Sequence, residues 1–108
     1  MTYFHDSSEI RRKEIAPGVS IRTMWGEKVM MSVIESAPGA VVPLHTHPHE
    51  QAGMVLQGEF DMTIDGETRR MRPGDSYVIP GGIEHGIQGL DGWALALDIF
   101  SPPREEYK

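Results

Sequence analysis

The residues best equipped for chemistry in this 108-residue chain are its histidines. Four of the five lie in two places: His45, His47 and His49 within Leu44-His-Thr-His-Pro-His-Glu-Gln51, and His85 within Pro80-Gly-Gly-Ile-Glu-His85. Neutral imidazole is the commonest protein metal ligand, and residues two apart on a strand project to one face. His45 and His47 are therefore expected side by side, with Pro48 ending their strand and Gln51 coming around from the next. One histidine at a barrel mouth is ordinarily just a hydrogen-bonded polar residue. A His-x-His flanked by glycine and proline, with a later histidine after its own Pro-Gly turn, points instead to a bound metal ion. His49 shares the parity of His47, but Pro48 breaks the geometry, so a place on the rim or in support of the ligands is expected rather than ligation. Glu84 should face away from His85, toward solvent.

A second set of reactive groups closes the chain. Residues 93–100 split by parity into a bulky row, Trp93, Leu95, Leu97 and Ile99, and a row of Ala94, Ala96, Asp98 and Phe100. Small alanines leading to an acid describe a strand that leaves room in a lumen and offers a carboxylate there. A carboxylate on an otherwise apolar strand is costly unless it meets a cation, a donor or a substrate. Arg104 follows after Ser101-Pro102-Pro103, whose prolines suggest a stiff, extended tail. Its guanidinium is shaped to clamp a carboxylate in bidentate fashion. Two readings stay open: Asp98 and Arg104 serve a ligand, or they pair with each other and pin the C-terminus.

The elements that must position these groups are short strands. Twelve glycines and eight prolines punctuate runs at 19–25, 29–35, 40–47, 51–56, 59–64, 67–71, 76–80, 83–88 and 93–100. Asp65-Gly66 is the strongest hairpin signal. No stretch of a dozen residues has helical periodicity, although 8–14 has the makings of one turn. Nine or so strands at such spacing indicate an all-β barrel or sandwich. One domain over 1–108 is expected, with a barrel core at about 19–100, a short N-terminal arm and a C-terminal tail. Several runs are apolar on both faces, which calls for a second cover; in a chain this small a homodimer is expected, with 19–25 and 29–35 as interface elements.

Composition narrows the function. Sixteen acids against ten bases give a net charge of −6, which disfavours nucleic acid as a partner. The absence of cysteine removes thiolate metal sites and cysteine nucleophiles. No apolar run approaches the roughly 20 residues of a membrane span, and none resembles a secretory signal. A cytoplasmic protein acting on a small molecule is the default expectation.

Gly39, five residues, His45-Thr-His47, three residues, Gln51, six residues and Gly58 resemble the first motif of the cupin superfamily. Gly74, five residues, Pro80, one residue, Gly82, two residues and His85 resemble the second. The 15 residues between Gly58 and Gly74 suit a small single-domain member. The resemblance implies a double-stranded β-helix, the cupin jelly-roll barrel, with one divalent transition metal inside, manganese, iron, nickel or zinc. Its ligands by that resemblance are His45, His47, Gln51 and His85. Gln51 stands where the motif ordinarily has glutamate, and Gly89 where it often has asparagine. A neutral ligand set leaves the ion its full charge for an anionic or enolic oxygen; alternatively, the substitution marks a site that has become a binding pocket.

The segment Asp98-Ile-Phe100-Ser-Pro-Pro-Arg104-Glu-Glu-Tyr107 is similar to the C-terminal signature of the pectin-degradation cupins that act on 4,5-unsaturated uronates. That resemblance implies Asp98 as acid or base, Phe100 shaping the substrate pocket and Arg104 holding the carboxylate of a small anionic substrate. The reaction implied opens the unsaturated ring to a linear keto form. A cupin dioxygenase and a non-catalytic metal- or sugar-binding cupin are the competing expectations.

Overall fold

The alternating runs fold into ten strands. The computed structural model describes residues 3–108 and contains β1 (Lys13–Ala16), β2 (Val19–Trp25), β3 (Met30–Ser36), β4 (Val41–His45), β5 (Glu50–Gln57), β6 (Phe60–Ile64), β7 (Glu67–Met71), β8 (Ser76–Ile79), β9 (His85–Gly89) and β10 (Ala94–Ser101). Two 3-10 turns, Ser7–Glu9 and Glu105–Tyr107, complete the regular structure. The strands pair antiparallel in two sheets, ordered β1-β2-β3-β10-β5-β8 and β4-β9-β6-β7. The chain is all-β, a single domain in which the sheets face each other around a lumen.

The period-two pattern decides what lies inside. On β10 the residues Ala94, Ala96, Asp98 and Phe100 are buried, Leu95 and Leu97 are half-buried and Ile99 is 37% exposed, while Trp93, just before the strand, is 60% exposed. This is the split expected from parity. Val55, Phe60, Met62, Met71, Tyr77 and Ile79 pack against the alanines and form the apolar end of the interior. Side chains buried to this degree each contribute about 1.5–3 kcal/mol through removal from water. The Asp65-Gly66 hairpin has φ of +50° and +81°, positive at both central residues. That conformation matches the twist of the flanking strands, β6 and β7.

Three local expectations are corrected. The N-terminal arm contains only the turn Ser7–Glu9, where Asp6 Oδ1 accepts from the Ser8 backbone N–H at 2.9 Å. Beyond it the chain extends into β1, because the Pro17-Gly18 turn brings Lys13–Ala16 back onto β2. Strand β4 stops at His45 rather than His47. It is an edge strand containing Pro43, and its pairing with β9 shifts between Val42 and His45, as expected where a missing N–H interrupts the ladder. The C-terminal tail does not run on extended. The Ser101–Pro102 bond is cis, and the Glu105–Tyr107 turn is tied to β2 by Thr23 Oγ1 donating to the Tyr107 carbonyl at 2.8 Å.

The outer face of the six-stranded sheet is apolar along a row that crosses five strands. Register aligns Met24 with Met31, Met31 with Ile99, Ile99 with Ala52 and Ala52 with Val78. Met31 and Val78 are 42% and 67% exposed. No helix among the described residues is long and apolar enough to cross a membrane.

Candidate functional site

Strand pairing brings the reactive residues to one place. His45 on β4 lies directly opposite His85 on β9, and their rings sit 4.4 Å apart. His47 lies just beyond β4, in a loop anchored by the Gly82 N–H donating to the His47 carbonyl at 2.8 Å. It reaches the same point as His45, with ring centroids 5.6 Å apart, although the strand parity that suggested this does not extend so far. Gln51 comes from β5, where it is 6% exposed, while neighbouring Glu50 faces outward.

Hydrogen bonding fixes the tautomers. His45 Nδ1 lies 2.8 Å from the Pro43 carbonyl, His85 Nδ1 2.8 Å from that of Ile83, and His47 Nδ1 3.1 Å from that of His49. A carbonyl only accepts, so each Nδ1 carries the proton and each Nε2 presents a bare lone pair. His47 Nε2 and His85 Nε2 are 3.2 Å apart, and each is 3.1 Å from Gln51 Oε1. Three acceptors therefore converge with no proton among them. Their separations are those of adjacent ligands that each lie about 2.0–2.2 Å from one first-row ion. One ring nitrogen from each of His45, His47 and His85 falls within 4.8 Å of the others. This donor set fits a divalent cation. Burial, reinforced by the charge of Arg104 and the neighbouring His85, holds the His47 imidazole down to about 4, and burial likewise lowers His85. Both are then neutral near pH 7, as ligation requires.

The opposite wall is acidic and aromatic. Asp98 is 6% exposed, and its Oδ1 accepts from Tyr77 Oη at 2.5 Å. Burial raises its carboxyl to about 6, against the opposing influence of hydrogen bonds from Tyr77 and Gln51 and the charge of Arg104. Phe100 is 2% exposed and turns its ring edge-on to His47 at 5.8 Å. Arg104 borders the same cavity as His45, Gln51, His85 and Asp98. Its guanidinium lies over Tyr107 at 3.9 Å and near Phe100 at 5.2 Å, with Nε and Nη2 both donating to Glu106 Oε1 at 2.8 Å. Arg104 thus forms its ion pair with Glu106, and no Asp98–Arg104 bridge occurs among the described residues. His49 sits half-buried beside His47, with ring centroids 5.5 Å apart. Glu84 is exposed, as expected.

The sequence reading overlooked Tyr77, Glu106 and Tyr107. The signal for Tyr77 was present in the alternation of β8, which buries Tyr77 and Ile79 and exposes Ser76 and Val78. Glu106 and Tyr107 carried no such signal, because a single turn has no periodicity.

Comparison with known proteins agrees with this architecture. The cupin domain family profile matches residues 32–99. The chain is 32% identical over 107 residues to the pectin degradation protein KdgF of Dickeya dadantii (strain 3937), spanning 97% of this chain and 96% of that protein. It is 30% identical over 97 residues to H2HPP isomerase of Bacillus subtilis, which covers 87% of this chain but only 41% of that longer protein. The structure of KdgF from Halomonas sp. superposes with a TM-score of 0.91 at 32% identity, over 100% of both chains. An RmlC-like cupin from Shewanella frigidimarina NCIMB 400 gives 0.92 at 27% identity, over 100% of this chain and 97% of that one. Motif spacing, paired sheets and full-length similarity lead to one conclusion: this chain belongs to the cupin family.

Proposed function

We propose that this cupin is a metal-dependent enzyme that opens the ring of a 4,5-unsaturated uronate, or a similarly carboxylated sugar, to its linear keto form. The observation that carries the reading is a shared lumen. A histidine–amide cluster, a buried carboxyl group and a cation all border one cavity, and the full-length relatives include a pectin degradation protein.

His45, His47, Gln51 and His85 would hold one divalent ion. When bound, that ion supplies a Lewis acid for an anionic or enolic oxygen. The chain's own residues do the rest. Asp98 accepts the proton of the anomeric hydroxyl as the bond between the anomeric carbon and the ring oxygen breaks. The electron pair leaves on the ring oxygen, which becomes the enol oxygen. Asp98 then returns the proton to the alkene carbon next to the enol, giving the ketone. No co-reactant is consumed, because the proton that leaves oxygen arrives at carbon. A carboxyl raised to about 6 suits an acid–base group that must act in both directions.

Arg104 holds the substrate carboxylate. Glu106 occupies the Nε–Nη2 edge of its guanidinium, which leaves the terminal fork for a second carboxylate. Phe100 keeps the floor of the pocket apolar. The free space in the lumen is about 40 Å³, so a bound sugar must extend beyond it.

The test is to incubate metal-loaded protein with a lyase-generated unsaturated uronate and follow the far-ultraviolet absorbance of its alkene. Loss faster than the spontaneous rate is expected. Decay at the spontaneous rate rejects the reading.

The quaternary state proposed is a homodimer. The apolar row of Met24, Met31, Ile99, Ala52 and Val78, exposed at Met31, Ile99 and Val78, offers a face that a second copy of the chain would cover. Sedimentation at micromolar concentration should give roughly twice the monomer mass, and a clean monomer overturns this assignment.

A further inference from the structure

Strand β5 lies between β10 and β8, and at one level its residue is Gly53. Register places Gly53 directly opposite Asp98 on one side and opposite Tyr77 on the other. Two strands that flank a third are about 9–10 Å apart, so side chains across such a gap ordinarily cannot touch. Here Tyr77 reaches over the glycine and donates to Asp98 Oδ1 at 2.5 Å. A Cβ at position 53 would collide with both that oxygen and the Tyr77 ring. The backbone of Gly53 is ordinary strand without positive φ, so the need for glycine comes from the space above it.

We infer that Tyr77 is a positioning residue for turnover: through the notch at Gly53 it ties one oxygen of Asp98 to the wall and leaves the other to exchange protons with substrate. This rests on the reading of Asp98 as the acid–base group. Without the tie, the oxygen held by Tyr77 is released, and Gln51 is left as the remaining side-chain donor to the carboxyl group. Burial keeps the Tyr77 phenol protonated, so it acts as a standing donor. Because Tyr77 works through Asp98, its effect must vanish when Asp98 can no longer carry the proton.

The experiment compares Tyr77→Phe, Gly53→Ala, Asp98→Asn and the Tyr77→Phe/Asp98→Asn double variant, all metal-loaded. Tyr77→Phe preserves the ring and its packing. It should lower kcat roughly ten- to a hundredfold, the consequence of losing one hydrogen bond to a charged group, with KM and metal content unchanged. Gly53→Ala should reproduce that loss by pushing the pair apart, and it stands in if Tyr77→Phe does not fold. In the Asp98→Asn background, Tyr77→Phe should cost nothing further in kcat. A structural role alone would lower thermal stability and leave the kcat of the folded protein intact. The carboxyl ¹³C resonance of Asp98, assigned by its absence in Asp98→Asn, should shift in Tyr77→Phe. That signal needs no turnover, so it tests the tie even if the unsaturated uronate proves not to be a substrate. An unmoved resonance, a wild-type kcat in Tyr77→Phe, or full additivity with Asp98→Asn overturns the proposal.

Discussion

The histidine–amide cluster and the Asp98 wall face each other across one lumen, but they are held over very different distances along the chain. His45 and His85 are each oriented by a carbonyl two residues earlier, and His47 by one two residues later. The Asp98 carboxyl is held by Tyr77, 21 residues away, over the gap left by Gly53. The turn that carries Glu106 and Tyr107 is secured to β2 across 84 residues. Short-range orientation makes the cluster robust to changes elsewhere in the barrel. Long-range orientation makes the acidic wall sensitive to strand register. The two regions also differ in electrostatic tendency: burial disfavours the charged form of each, which lowers the pKa of His47 to about 4 and raises that of Asp98 to about 6.

That contrast is broken most completely by removing ligands. His45→Ala combined with His85→Ala should reduce bound metal from one ion per chain to none, as measured by elemental analysis. Retention at wild-type stoichiometry would show that the cluster is not the metal centre.

The acidic wall predicts the next largest effect. Asp98→Asn keeps an acceptor for Tyr77 but cannot take up the transferred proton. Turnover should fall on the order of 10²-fold or more, with metal content and KM little changed. Full activity in this variant would assign Asp98 a structural part only.

Metal-free protein should show the two regions tilting stability in opposite directions. The unfolded chain ionises Asp98 near 3.8, whereas the folded chain keeps the proton until about 6. The folded state thus binds more protons in that window, and this group lowers stability as pH rises through it, by at most about 3 kcal/mol. His47 works the other way: it charges near 6.5 when unfolded but only near 4 when folded, so it raises stability as pH climbs from 4 to 6.5. In wild type these contributions oppose each other between pH 4 and 6, with His85, also lowered by burial, on the side of His47, so the rise of stability with pH should be shallower than in Asp98→Asn. Asp98→Asn should gain stability with rising pH over that range in urea unfolding, and a flat profile for the variant contradicts the assignment.

The smallest effect is expected at the mouth. Arg104→Lys retains charge but loses the planar fork and the fit against Tyr107. It should raise KM roughly tenfold with kcat nearly unchanged, as steady-state kinetics would show. A fall in kcat alone would mean that Arg104 acts on the reacting atoms rather than on the substrate carboxylate.

Much of this arrangement could be read from residue order because the relevant signals are local. Period-two alternation predicted which residues of β10 face inward, and the Asp65-Gly66 pair marked its hairpin through a conformation few residues adopt. The spacing of His45, His47, Gln51 and His85 indicated a cluster before any strand was placed. The expectation for His47 reached the right neighbourhood through the wrong local geometry: Pro43 ends regular pairing early, and the loop anchored by Gly82 completes the approach. Strand β1 went unread because Lys13–Ala16 has little apolar alternation of its own and extends only because β2 offers a free edge.

What the sequence determined alone is therefore the set of groups and the side of the strand on which most of them lie. Tertiary structure decided who touches whom across strands. Arg104 pairs with Glu106 and stacks on Tyr107 rather than bridging to Asp98, and Tyr77 reaches Asp98 because the strand between them carries glycine at that level. Side-chain direction along one strand follows from backbone stereochemistry and is written into residue order. Contact between strands depends on register, which is fixed only when one face of the sheet is buried against the rest of the fold.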